Sequence, residues 1–409
     1  MSYPLPTLEA ACFLNPRNDR KEPYGTTRAR ILNASALDAA RSTITTWPGH
    51  VRTPLHALPD LAAALGVQSV HYKDEGGRFG LGSFKALGGA YAVARLLCSQ
   101  LGQRLGRTVR PEDLPGLRDA CAGITVTCAT DGNHGRSVAW GARMYGCQCV
   151  IYIHATVSEG RRQAIEAFGA RVVRTDGNYD ESVRRADSDA RAREWFVVSD
   201  TSYAGYTDIP RDVMQGYQLT VDEAVDQLSK VGSAWPTHVF VQAGVGGFAA
   251  AVCAYFWERD ATRRPVFVVV EPERADCLMR SARAGRPTAV TGALDTLMAG
   301  LACGEISPIA WDILDHGAHA FCTIPDSAAI AVMRLLARPP GSDPAIVAGE
   351  SAVAGLAAAI AVSRDAAQRA FLDINAGSRL LFIGSEGDTD PKLYAELVGA
   401  DAAAIRVRA

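Results

Sequence analysis

Residues 124–153 read ITVTCATDGNHGRSVAWGARMYGCQCVIYI. A β-branched run over 124–129 stops at the polar segment Thr130, Asp131, Gly132, Asn133, His134; positions 135–145 then carry helical spacing that closes on Gly146, and 147–153 is a second β-branched run. Strand, polar glycine turn, helix, glycine stop and strand in succession make a βαβ unit, and so a parallel sheet covered by helices. Working outward, a helix over 159–168 stopped by Gly169, a strand at 172–173, a helix over 179–195 and a strand at 196–198 complete one small sheet. After Pro236 the alternation restarts, with strands over 238–242, 265–270, 320–324 and 379–383 and helices over 247–258, 274–284, 327–337 and 350–363. The segment before Tyr91 is expected to join this second sheet. Residues 338–344 read as a loop and 105–122 as an irregular insertion; the first fifty residues add little.

At about 150 residues per domain, 409 residues predict two or three domains. With 48% hydrophobic and 21% charged residues, the chain sits near the average for a globular protein and far from disordered classes. Lys and Arg total 42 against 44 Asp and Glu, which leaves no footprint for nucleic acid or an anionic membrane surface, so the expected partner is a small molecule. Ten Cys are too few for a stapled secreted scaffold, and the start lacks a basic segment followed by an apolar one; a cytoplasmic location is expected. The longest uncharged stretches, 243–257 and 351–363, fall short of the roughly 18 apolar residues of a membrane span and read as buried helices.

Four segments that follow strand patterns carry the chemistry. Gly76, Gly77, Gly80 and Gly82 lead into Ser83, Phe84 and Lys85 at the start of a small-residue helix. A lysine there can be desolvated and readied for Schiff-base formation, the competing reading being an amine left in water. The segment from Thr130 to Gly135 offers helix N-terminal N–H groups to a carboxylate or phosphate, or else holds ordinary Asp and Asn caps. Gly244, Val245, Gly246 and Gly247 form a strand-to-helix glycine turn without the G-x-G-x-x-G spacing, which suits a single phosphate. Ser385, at the end of the last strand, is a candidate hydrogen-bond partner for a ligand atom, and Asp390 before Pro391 reads as a helix cap.

Taken in this order, the motifs resemble the tryptophan-synthase-β-like (fold type II) pyridoxal-phosphate enzymes and, within them, the diaminopropionate ammonia-lyases. The narrower resemblance rests on Lys73-Asp74-Glu75 with Arg78-Phe79-Gly80-Leu81, on Ala129 through Arg136, and on Met214-Gln215-Gly216-Tyr217. It continues through Met298 to Glu305 and Glu386 to Pro391, and spans about residues 70–395. It implies an α/β fold of two open, mostly parallel sheets flanked by helices, with a large cofactor-binding domain over 1–89 and 211–409 and a small substrate-side domain over 90–210. Lys85 would carry pyridoxal 5'-phosphate covalently and Asn133 would face its ring hydroxyl. Gly244, Val245, Gly246 and Gly247 would cradle the phosphate, and Ser385 would meet the pyridine nitrogen with a neutral hydroxyl. Thr130, Asp131, Gly132, His134, Tyr179 and Asp200 would touch an amino acid substrate.

The Asp131 carboxylate decides which substrate is expected. It would pair with a second ammonium at Cβ, and it could take the Cα proton from the face opposite Lys85. The two bases would then serve opposite enantiomers of 2,3-diaminopropionate in a β-elimination to pyruvate and two ammonia, and the resemblance also implies a homodimer. The alternatives are a serine or threonine dehydratase or another β-substituted amino acid lyase of the same fold, and a non-catalytic metabolite-binding protein. Tyr179 could equally be a helix-start aromatic in a small core.

His316, His319 and Cys322 have ligand-like types, but the set is too thin for structural zinc and no metal is expected. Cys147 and Cys149 should share one buried face. Cys277 and Cys303 could approach each other and are expected as free thiols. Glu386, Asp388 and Asp390 read as capping or solvated acids.

Overall fold

Runs such as HVFVQ and VFVVVEP lack any alternation of apolar and polar residues, and they become strands buried along their whole length. The computed structural model describes residues 3–130, 132–177 and 179–407. Among the described residues the strands are β1 (Ala11–Leu14), β2 (Leu55–Ala57), β3 (Ser69–Asp74), β4 (Thr125–Thr130), β5 (Gln148–Ile153), β6 (Arg171–Arg174), β7 (Phe196–Val197), β8 (His238–Gln242), β9 (Val266–Pro272), β10 (Ala320–Ile324) and β11 (Arg379–Gly384). One sheet runs β1-β10-β9-β8-β11-β3-β2 and the other β6-β5-β4-β7. In the larger sheet the inner strands are parallel and the edge strands β1 and β2 antiparallel. The smaller sheet is parallel throughout. This is the expected α/β class.

Two compact units carry one sheet each: Met1–Ala34, Arg52–Gly82 and Thr220–Ala409 hold the larger, Ser35–Val51 and Ser83–Leu219 the smaller. The boundaries expected after residues 89 and 210 differ from these, for identifiable reasons. A cut at 89 would divide the helix Lys85–Leu105, which is continuous. Residues 35–51 join the smaller unit through Trp47, edge-on to Trp140 at 5.6 Å, and residues 211–219 join it through Gly216, whose Cα lies against the Leu87 carbonyl.

In the larger unit the helices Gly247–Arg259 and Ala354–Arg364 are buried over most of their length, as their uncharged sequences predict. The second starts later than the expected 350, because 350–353 form a buried turn. The helix expected from 274 starts at Cys277. No helix among the described residues is long and apolar enough to cross a membrane. The first fifty residues supply β1, whose Cys12 lies opposite Cys322 on β10 and is disulfide-bonded to it, a pairing not expected from the sequence.

Small residues let helices of the smaller unit touch backbone to backbone. A Cβ on Gly216 would lie 2.0 Å from the Leu87 carbonyl oxygen, and one on Gly88 would lie 2.3 Å from the Tyr217 ring. Helix propensity alone favours Ala over Gly by about 1 kcal/mol, but a contact that short against backbone cannot relax cheaply. Gly216→Ala is therefore expected to lower stability by about 2 kcal/mol, read as a lower urea midpoint. Gly160→Ala, on the helix Glu159–Glu166 with nothing within 4 Å of its Cβ, should leave the midpoint unchanged or raise it.

Candidate active site

In the smaller unit, Lys85 opens the helix Lys85–Leu105 and is anchored by its own carbonyl, which accepts from Ser137 Oγ at 2.8 Å. Its amine is not left in water. Nζ donates to Asp200 Oδ2 at 2.6 Å and lies 5.4 Å from the Phe84 ring centroid and 5.6 Å from that of Tyr217. Burial pushes the Asp200 carboxyl up, but the Lys85 ammonium and the His134 ring outweigh it and hold the group well below the ordinary carboxylate range. Asp200, expected as a substrate contact, is thus also the partner of the candidate cofactor lysine. Its loop is pinned by Tyr206, whose hydroxyl donates to the Val197 carbonyl and accepts from the Ser199 N–H, both at 2.9 Å.

Thr130 Oγ1 accepts from Gly132 N–H at 3.0 Å and Gly135 N–H at 3.1 Å, shaping the start of the helix Asn133–Tyr145. Because a carbonyl only accepts, His134 carries its proton on Nε2, which donates to the Val198 carbonyl at 2.8 Å; its Nδ1 lies 3.8 Å from Asp200 Oδ2. Asp131 lies outside the described residues. Tyr179 starts the helix Tyr179–Arg193 and is 42% exposed, so it is not part of the small core around Val150, Tyr152 and Ala186.

In the larger unit, β8 runs into Ala243, Gly244, Val245 and Gly246, and the helix Gly247–Arg259 follows. Gly246 adopts φ +95°, which favours glycine. At Gly244 a Cβ would come within 2.8 Å of Cys303 Sγ and 3.1 Å of the Gly300 carbonyl. Cys277 Sγ lies 3.7 Å from the Gly244 carbonyl, and Cys277 and Cys303 are free thiols. Ser385 directly follows β11 and is 5% exposed; its hydroxyl makes no hydrogen bond among the described residues. The acids after it are used structurally. Glu386 accepts from Ser351 N–H at 3.2 Å, Asp388 pairs with Arg406, and Asp390 caps the helix Pro391–Val398.

A buried charge cluster and a lone buried carboxyl of the larger unit have structural roles. Lys73, Glu75, Arg78 and Glu223 are each no more than 3% exposed. Lys73 Nζ donates to the Thr53 carbonyl, Glu223 and Gln227 at 2.8, 3.0 and 2.8 Å. Arg78 bonds both carboxylates, with Nε to Glu75 Oε2 at 2.8 Å and Nη2 to Glu223 Oε2 at 2.7 Å. The buried carboxyl is Glu271 at the end of β9, fully buried, which accepts the N–H groups of Leu278 and Met279 at 2.7 and 2.8 Å and so starts the helix at Cys277. Burial pushes its carboxyl up to about 8 against those two bonds. The motif around Arg78 signalled the cluster; no local signal points to Glu223, which lies 145 residues from Arg78.

A family model for pyridoxal-phosphate dependent enzymes matches residues 46–383. The chain is 42% identical over 372 residues to the diaminopropionate ammonia-lyase of Escherichia coli K12, covering 90% of this chain and 92% of that protein. It is 39% identical over 391 residues to the one from Salmonella typhimurium LT2, covering 93% and 96%. Among solved structures, it is similar to the Escherichia coli diaminopropionate ammonia lyase in complex with an aminoacrylate-PLP azomethine intermediate, with a TM-score of 0.86 and 39% identity over 96% of this chain and 97% of that one.

Removing one member of the cluster strands buried charge. Arg78→Met, which leaves Glu75 and Glu223 facing each other, is expected to cost about 3–5 kcal/mol and to lower the urea midpoint accordingly. Glu271 gives a pH dependence of definite sign. Its folded pKa is raised, so its contribution is fully present below the unfolded value of 4.5 and is lost as pH rises towards about 8. Stability measured by urea unfolding should fall across that window by up to about 1.4 kcal/mol per pH unit from this group, and Glu271→Gln should flatten the fall.

Proposed function

Since the chain belongs to the family of pyridoxal-phosphate dependent enzymes, we propose that it is an ammonia-lyase converting 2,3-diaminopropionate and water to pyruvate and two ammonia. The observation that carries this reading is the likeness to diaminopropionate ammonia-lyases along nine-tenths or more of each chain. The residues present fit the cofactor. Lys85 supplies an amine at a helix start, Gly244, Val245, Gly246 and Gly247 supply backbone N–H groups at another, and Ser385 supplies a buried hydroxyl not bonded elsewhere among the described residues. Asn133, first in its helix, completes the set that would hold it. When bound, the cofactor supplies the electron sink that lets a proton leave Cα and a group leave Cβ.

The remaining chemistry belongs to the chain. Thr130, Gly132 and His134 shape a helix N-terminus suited to the substrate carboxylate, and Asp131 offers a negative charge to the β-ammonium. Lys85 and Asp131 take the Cα proton from opposite faces, which accounts for both enantiomers as substrates. Asp200 orients the Lys85 amine and, with Tyr179, contacts substrate. The β-amine leaves already protonated, so no separate acid is required. The proposal includes a cytoplasmic homodimer, for which the family resemblance is the support.

Pyruvate release should be fast with D- and L-diaminopropionate and slow with D- and L-serine; a preference for serine would overturn the substrate assignment. Lys85→Ala should lose the visible band of lysine-bound cofactor and more than about a thousandfold in kcat/KM. Asp131→Asn should depress one enantiomer far more than the other.

A further inference from the structure

The amino ends of β8, β9 and β11 lie at the opposite end of their strands from the Gly244 turn and Ser385. There the larger unit holds a cavity of about 310 Å³. Its lining includes Arg20, Arg263, Arg264 and Arg379, Trp235 and one acidic residue, Asp373. None of the four arginines forms an ion pair with a carboxylate among the described residues.

Their donors go instead to uncharged acceptors. Arg20 Nη2 donates to the Arg264 carbonyl at 2.7 Å, Arg379 Nε donates to the Trp235 carbonyl at 2.8 Å, and Arg263 lies 5.9 Å from the Trp235 ring centroid. Arg264 belongs to the framework: it is 4% exposed, lies 4.3 Å over the Trp257 ring and donates from Nη2 to the Asp19 carbonyl, while its own carbonyl holds Arg20, so Arg20, Arg263 and Arg379 are the arginines open to a ligand. Of the acids near Arg264, Asp19 accepts from Lys21 N–H at 2.8 Å and Glu22 bonds Arg28 and His316, and both carboxylates favour its charged form. Burial, with Arg20, His238 and Arg264 adding to it and Asp373 opposing, pushes the His319 ring down to about 4.

Arginines gathered around one cavity without carboxylate partners repel one another, and a bound anion offsets that repulsion. Arginine forks match phosphate geometry, and the volume equals that of roughly ten waters at about 30 Å³ each, too large for a lone halide. We propose that this cavity is a binding site for a small phosphorylated metabolite, its phosphate group taken by these arginines and its organic part lying against Trp235. The site is independent of the activity proposed above.

Isothermal titration of the holoenzyme, with inorganic pyrophosphate as probe and NaCl at matched ionic strength as control, tests it. Saturable binding is expected, weakened about tenfold or more in the double variant Arg263→Ser/Arg379→Gln, while the visible cofactor band and turnover stay unchanged. Both side chains are at least partly exposed; should the double variant fail to fold, Arg263→Ser alone decides by the same criterion. Absence of saturable binding, or binding undiminished in the variant, would overturn the site. Citrate binding as tightly as pyrophosphate would overturn its assignment to phosphate.

Discussion

The buried cluster of Lys73, Glu75, Arg78 and Glu223 is the constraint on which the geometry of the larger unit turns. Two cations and two carboxylates removed from water are tolerable only if nearly every donor and acceptor is used, and here Lys73 alone spends its ammonium on three acceptors. That requirement fixes the loop after β3 so firmly that Phe79 is held at φ +52°, a left-handed conformation costing roughly 1–2 kcal/mol for a residue with a side chain. The same loop packs against the segment after β11. A Cβ on Gly76 would meet the Gly387 backbone at 3.1 Å, and Gly387 N–H donates to the Gly82 carbonyl at 2.9 Å. The residues just before Lys85 in the chain and those just after Ser385 are therefore held by one set of bonds.

Within the smaller unit the comparable role falls to Asp200. Its partners Lys85 and His134 come from the starts of two different helices. A carboxylate placed there directs the lysine amine, and the phenol of Tyr206 keeps the carboxylate's own loop in register with β7. From the sequence Asp200 reads as a substrate contact, and its bond to Lys85 is not legible there. Contacts between residues 85 and 200 leave no periodic trace in either segment.

That contrast marks what a single sequence exposes. The βαβ pattern over 124–153 and the glycine turns after β4 and β8 are local, and each appears where the alternation places it. The edge strand β1 was invisible because four residues, ACFL, carry no alternation long enough to distinguish a strand; only its antiparallel register with β10, 310 residues away across the Cys12–Cys322 bond, defines it. The bounds of the two compact units differ from those expected for a related reason. Gly216 and Trp47 assign their segments through contacts with Leu87 and Trp140 that sequence proximity does not suggest.

Net charge hides the same kind of information. A total of −2 says nothing of where charge is compensated. Arg78 and Arg264 are both buried arginines, at 1% and 4% exposure, yet they are held differently. Arg78 faces two carboxylates and Thr53 and is part of the scaffold. Arg264 lies on an aromatic face, donates to the Asp19 carbonyl and has the Asp19 and Glu22 carboxylates near it, so its burial is met within the chain. The arginines without an acid partner are those open at the cavity, Arg20, Arg263 and Arg379, and there a partner from outside the chain is the economical physical account.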